Sequence, residues 1–177
     1  AAYPGTPSTE ILENISEYKE IYSEWSTNEK VALEVASGAS IAGARSLVAM
    51  KHVGLNVASD PLYTMAYEGV NGGLIVVTAD EPGMHSSQNE QDNRLVAPHA
   101  KVAMVEPSDS QECKDFVKYA FEISETYDTP VLFKMTTRVC HSKGVVELGE
   151  RVEAGVKEYV KNPRKYIMVP ANSKAKH

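Results

Sequence analysis

The sequence predicts an α/β domain in which a parallel sheet carries helices on both faces. Four short runs rich in β-branched and apolar residues, "SLVAMKHVG", "GLIVVTA", "AKVAMVEP" and "TPVLFKMTT", alternate with stretches of helical periodicity. The runs are apolar almost throughout, as expected of strands buried on both faces. A chain of 177 residues, 42% hydrophobic, has enough apolar side chain for one ordinary core.

After a Pro-rich turn, "STEILENISEYKEIY" places Ile11, Leu12, Ile15, Tyr18 and Ile21 near helical spacing, with Ser8 or Thr9 as cap. "STNEKVALEVASGASIAGARSLVAM" reads as a second helix, capped by Ser26, Thr27 or Asn28. Its middle, "ASGASIAGA", is nearly all small residues, which lets a backbone or a flat ligand approach. Glycine costs a helix interior up to ~1 kcal/mol relative to alanine, so the pattern predicts a packing requirement. The overlapping "SLVAMKHVG" fits a short strand that ends in a loop, "KHVGLNVASDP". "PLYTMAYEGVNGG" predicts a helix stopped by its glycines, and "GLIVVTA" a buried strand. "AKVAMVEP" is the third strand, and "SDSQECKDFVKYAFEISETY" is a long amphipathic helix with Phe116, Tyr119, Ala120 and Ile123 on one side. "TPVLFKMTT" completes the sheet, and the last residues, "VPANSKAKH", are expected to end without a helix or strand.

Ligands of open parallel sheets bind beyond the carboxyl ends of the strands. "KHVGLN", "ADEPGMHSSQNEQDNR" and "TTRVCHS" therefore fall on one functional rim. The second of these has almost nothing to bury and is crowded with groups that donate, accept or titrate.

Several chemistries are excluded. A net charge of -6 argues against a nucleic-acid partner. No apolar run approaches the ~20 residues that cross a bilayer, and no signal peptide opens the chain. Cys113 and Cys140 lie far apart without CxxC spacing, which predicts a reducing cytoplasm and no zinc or iron–sulfur site. His52, His85, His99 and His141 form no metal-binding pair. Ser86 and Ser87 lack a nucleophile elbow, and neither a P-loop nor GxGxxG occurs. Glu29 has two readings: a first-turn acid complementing the helix dipole, or a carboxyl at the crevice mouth that hydrogen-bonds a heterocyclic nitrogen. Arg94 and Arg138 likewise read as carboxylate clamps or as surface ion-pair partners, Asp92 being at hand for Arg94.

Four motifs in order, "AAYPGTPSTEI", "NEKVALEVASGASIAGAR", "MKHVGLNVASDPL" and "ADEPGMHSSQNEQDNR", carry a specific resemblance. The chain resembles, along its whole length, the pyrimidine-binding domain of the thiamine-diphosphate-dependent 2-oxoacid:ferredoxin oxidoreductases, in particular the indolepyruvate ferredoxin oxidoreductase alpha subunits. The resemblance implies a thiamine-diphosphate-binding fold lacking its first element. Residues 1–165 would be the pyrimidine-type domain, and 166–177 the start of a linker to a downstream domain.

It also implies roles. Glu29 matches the glutamate that hydrogen-bonds N1′ of the aminopyrimidine and favours the tautomer that generates the thiazolium ylide. The ylide attacks a 2-oxoacid, carbon dioxide leaves, electrons pass to iron–sulfur clusters, and coenzyme A takes the acyl group. The turn "YPGTP" resembles one close to substrate, which makes Thr6 a substrate residue and Pro4 a cofactor-side residue. Arg94 resembles the arginine that holds the substrate carboxylate. "KHVGLN" matches a loop against the pyrimidine clearly at Gly54, with Lys51, His52 and Asn56 as further cofactor-side candidates.

No "GDG…N" motif and no cluster cysteines occur, so magnesium and the iron–sulfur clusters are expected on parts outside this chain. The implied partners are downstream pyrophosphate-binding and ferredoxin-like domains, a beta subunit, ferredoxin, a 2-oxoacid and coenzyme A. The implied activity is cytoplasmic oxidation of aryl pyruvates in the aromatic amino-acid catabolism of anaerobes, with the chain inactive alone. A paralogue acting on another 2-oxoacid and a non-catalytic assembly module are the alternatives, and a homodimer through the small-residue helix remains open.

Overall fold

The computed structural model describes residues 1–177. Its centre is a four-stranded, wholly parallel sheet ordered β1-β2-β4-β3: β1 is Ser46–Lys51, β2 Leu74–Asp80, β3 Ala103–Val105 and β4 Val131–Thr136. β2 pairs with β1 from Ser46↔Leu74 to Lys51↔Ala79, and with β4 from Ile75↔Val131 to Asp80↔Thr136.

Alternation along the strands splits the core in two, because successive side chains leave opposite faces. Val48, Met50, Leu74, Val76 and Leu132 pack on one face against helices α2 (Glu29–Ile41), α3 (His52–Val57), α4 (Ser59–Glu68) and α5 (Val96–Ala100). Ala49, Ile75, Val77, Val131 and Phe133 face the other way, against α1 (Thr9–Ile15) and the long α6 (Ser110–Tyr127). The expected sheet with helices on both faces is present.

Some elements differ from expectation. Helix α1 stops at Ile15, leaving Tyr18 and Tyr22 exposed, because the chain turns back to pair beside Ala2. Ala2 donates its N–H to Glu24 O and accepts from Ser26, while the Tyr3 N–H donates to Ala49 O and the Ala49 N–H to Ala1 O. The opening residues thus extend the β1 edge rather than forming only a turn. "KHVGLN", expected as a loop, is helix α3, and "TTRVCHS" supplies helix α7 (Thr137–His141). Helix α2 ends at Ile41, so "SLVAM" is strand and not helix.

Within the chain, a Cβ added at Gly38 of α2 would meet nothing within 4 Å. The close approach lies just beyond the helix, at Gly43, with φ of +102° and the Lys157 carbonyl against it. Lys157 belongs to a strap without regular secondary structure, residues 142–162, tied down by Glu147 N–H to Gln111 and Lys157 N–H to Gly43 O.

The last residues are also structured. Helices α8 (Pro163–Tyr166) and α9 (Pro170–Lys176) fold back beneath α4, correcting the expectation of an untied end. The Lys165 ammonium donates to Val70 O and Asp128, and Lys176 to Glu68 O. Cations at the carbonyl end of α4 are favoured by its dipole.

Candidate active site

Helix α2 runs antiparallel to the strands, so its first turn lies at the carboxyl rim of the sheet. Asn28 caps it by accepting the Val31 N–H, which leaves the adjacent Glu29 carboxyl for other work. Glu29 is buried, and it faces the backbone of α3 across Gly54. A Cβ added at Gly54 would fall 2.6 Å from Glu29 Cγ and 2.7 Å from Oε1. The glycine is the only residue type that leaves this carboxyl where it is. Here the structure brings together two residues 25 positions apart that the motifs singled out separately.

The "YPGTP" turn sits beside them. Gly5 is closed by Thr9 Oγ1, which accepts the Gly5 N–H at 2.8 Å, and by Ser8, whose N–H and hydroxyl both donate to Gly5 O. The Thr6–Pro7 peptide is cis. Pro4 and Thr6 are exposed on this turn. A Cβ on Gly5 would come within 3.2 Å of Lys51 Cβ, so the turn packs directly on the end of β1. Asn56 is exposed on α3, one turn from the rim.

Lys51 and His52 both reach the polar loop that follows β2. The Lys51 ammonium donates to Ser86 O at 2.7 Å and pairs with Glu81 at 3.4 Å. His52 is fully buried, and its Nε2 lies 3.1 Å from Asn89 O. A carbonyl only accepts, so the proton of that ring sits on Nε2. Glu81 also receives the Ser87 hydroxyl. Burial alone would push the Glu81 carboxyl up, but Ser87 and Lys51 together hold it below the usual carboxylate range. Both residues therefore grip the polar loop, and their polar atoms are directed at protein.

The far end of that loop is held by a second cluster. Asp80 accepts the Asn93 N–H at 3.0 Å, and the Asn93 amide donates to Thr78 Oγ1 at 2.7 Å. Burial pushes the Asp80 carboxyl up against the opposing pull of Asn93 N–H and Lys134. Arg94 forks onto Glu106 at 2.8 and 2.9 Å and reaches Asp92 at 3.5 Å. Lys134 joins from β4, 2.8 Å from Glu106. With Arg94 hydrogen-bonded to it and Lys134 beside it, Glu106 is held down at about 2 despite partial burial. In this structure both prongs of the Arg94 fork are taken by Glu106, beside the sheet edge away from Glu29.

Glu81, Asp80, Ser87 and Asn93 were not separable in the sequence. The signal was the density of acids and amides around a Pro-Gly turn, which marks a self-bonded loop without naming the pairs. Arg138 is exposed at the start of α7. Cys113 and Cys140 are both free thiols, and burial pushes Cys140 up to about 12, so it is a poor nucleophile.

Residues 1–175 match the protein family described as "Pyruvate flavodoxin/ferredoxin oxidoreductase, thiamine diP-bdg". The chain belongs to this family. Among relatives of this oxidoreductase domain, indolepyruvate oxidoreductase subunit IorA of Pyrococcus horikoshii is 53% identical over 186 residues, covering 100% of this chain and 29% of its own length. The Archaeoglobus fulgidus protein of the same name is 49% identical, covering 98% and 29%. A more distant relative, 2-oxoglutarate synthase subunit KorA of Methanothermobacter thermautotrophicus, is 26% identical over 86% of this chain and 43% of its own. The chain thus spans under a third of the length of the two relatives about half identical to it. In three dimensions it resembles a 2-oxoglutarate:ferredoxin oxidoreductase from Magnetococcus marinus solved with 2-oxoglutarate, coenzyme A and succinyl-CoA, with a TM-score of 0.71 at 21% identity over 78% of this chain and 26% of that one. That likeness establishes the fold. No helix is long and apolar enough to cross a membrane.

The thiamine diphosphate named in the family description fits the residues present. A buried carboxyl at a helix start, backed by a glycine that leaves no room for a methyl, suits a flat ring bearing a basic nitrogen.

Proposed function

We propose that this chain supplies the aminopyrimidine-activating half of an active site that oxidatively decarboxylates aryl pyruvates, indolepyruvate among them, to acyl-CoA with ferredoxin as acceptor. The observation that carries the reading is the buried Glu29 carboxyl held against Gly54. The aryl preference rests on the names of the relatives about half identical to it. When bound, thiamine diphosphate supplies the carbanion chemistry that breaks the bond to the substrate carboxylate.

The work of this chain is positional and protonic. Glu29, kept from water on the protein side, shares a proton with the ring nitrogen N1′ and biases the ring's tautomer. Gly54 and the Pro4 turn shape the wall against which the ring lies. Thr6, exposed at the turn, is the hydroxyl offered to substrate. Magnesium and the iron–sulfur clusters belong to pyrophosphate-binding and ferredoxin-like domains and to a beta subunit, in a cytoplasmic complex of anaerobic metabolism. The 177 residues are inactive by themselves.

The test is viologen or ferredoxin reduction by the full-length subunit with its partner, thiamine diphosphate and coenzyme A. The substrates are indolepyruvate, phenylpyruvate, pyruvate and 2-oxoglutarate. Preference for the aryl acids is expected, whereas preference for either of the others transfers the activity to a different 2-oxoacid. Glu29→Gln is expected to lower kcat by about 10²-fold or more, the usual reach of a general acid–base group. Near-normal turnover in that variant would remove the proton role.

A further inference from the structure

Lys51 is the residue where the three parts of the rim meet. It ends β1, it packs under the substrate turn at Gly5, and its ammonium reaches 35 residues along the chain to Ser86 O. Its carboxylate partner Glu81 is only 1% exposed and itself holds Ser87. A buried lysine costs heavily unless its charge is matched, and this one is matched entirely by the loop. Next to it His52, the first residue of α3, fixes Asn89 O, so these two consecutive residues hold both limbs of the same loop, Glu81 on one and Ser86 and Asn89 on the other. Between these anchors only the tip is left out, Pro82 to His85, with Gly83 and Met84 at φ of +88° and +52°.

We propose that Lys51 is a positioning residue: through Ser86 and Glu81 it holds the 81–92 loop against the Gly5–Thr6 turn as the wall of the substrate mouth, touching neither cofactor nor substrate. This rests on the proposed 2-oxoacid site. It reassigns Lys51 from the cofactor side to the substrate side of the rim and makes the loop's shape, rather than a charge, its contribution.

Two measurements separate the latch from the reaction. The first is hydrogen exchange of the 177-residue chain. The Gly83 N–H donates to Glu90, and the Met84 N–H to Glu81 O. Lys51→Met and Glu81→Gln should each lower protection at these two amides by about tenfold or more, the order expected for losing a hydrogen bond to a charged group. Protection at Asn93, held by Asp80 instead, should stay. Glu81→Gln keeps the side chain's shape and carries the test if Lys51→Met fails to fold. Unchanged protection of the loop overturns the proposal.

The second is kinetics of the full-length complex. For both variants KM for the 2-oxoacid should rise by about tenfold, in proportion to the loosened loop, with thiamine diphosphate affinity at the wild-type value. Weakened thiamine diphosphate binding with an intact loop would place Lys51 on the cofactor and refute the latch. A wild-type complex inactive on every 2-oxoacid refutes the proposed function, and the exchange measurement still decides the latch.

Discussion

Replacing Gly54 by alanine tests the site at its tightest point. The new methyl would lie 2.6 Å from Glu29 Cγ, 2.7 Å from Oε1 and 3.0 Å from Cδ, where ordinary contact begins at 3.4 Å. Glu29 must retreat by about 0.8 Å, since the methyl is fixed to helix backbone. Overpacking of this kind costs ~1–3 kcal/mol. Alanine returns up to ~1 kcal/mol of helix propensity within α3, leaving a net loss of ~0–3 kcal/mol. Stability should therefore fall by no more than that, short of unfolding an ordinary domain. Function should not escape, because a displacement near 1 Å at a positioned group can cost ~10²-fold in rate. The assay pairs urea denaturation of the 177-residue chain with turnover and thiamine diphosphate affinity of the full-length complex. Gly38→Ala is the control, since nothing lies within 4 Å of its Cβ and the same chemical change should be neutral or stabilising by up to ~1 kcal/mol. Wild-type turnover and cofactor affinity in Gly54→Ala would refute the placement of the ring against Glu29.

Other outcomes follow from the same geometry. Arg94→Ala should leave KM for the 2-oxoacid within about twofold, because its fork serves Glu106; a rise above about tenfold would restore it as the carboxylate clamp. Glu106 and Glu125 are both held at about 2, below the ordinary 4.5, by hydrogen-bonded arginines. Their depressed values contribute stability that is present above pH 4.5 and lost as pH falls through about 2. Urea midpoints across that window should drop, and Glu125→Gln should flatten the slope. Ser124 is buried, accepts the Leu74 N–H at 3.0 Å and donates to Thr129 O at 2.7 Å. Ser124→Ala leaves that N–H without a partner at the start of β2, and a loss of about 1–3 kcal/mol by denaturation is expected.

The sheet was legible because burial on both faces writes itself into the strands. "LIVV" has no polar position to hide, and the observed Leu74–Asp80 is buried end to end. Helix boundaries were less legible, since what ended α1 was not in α1. It was the pairing of Glu24 and Ser26 with Ala2, a contact between segments that local periodicity does not register. Helix α3 escaped for a related reason: its glycine lowers local propensity, and its place is set by Glu29 from another element. Within the site, Glu29 and Gly54 stood out through their motifs, whereas Lys51, His52 and Arg94 could not be assigned. A charged side chain at a rim has the same appearance in sequence whether it meets a ligand or a loop. The positions of Ser86 O, Asn89 O and Glu106, which give these side chains their partners within the chain, are not written in the local sequence.

The way the polar loop is fastened has a consequence for how such a site can change over evolution. Its anchors fall at residues 80 and 81 on one limb and at 86, 87, 89 and 93 on the other. Residues 82–85 lie outside every one of these attachments to the sheet and to β1. Substitutions, or even a change of length, can accumulate there without disturbing strand register or the carboxyl of Glu29. A lineage can thus edit four residues at this rim while the contact between Glu29 and Gly54 is inherited unaltered.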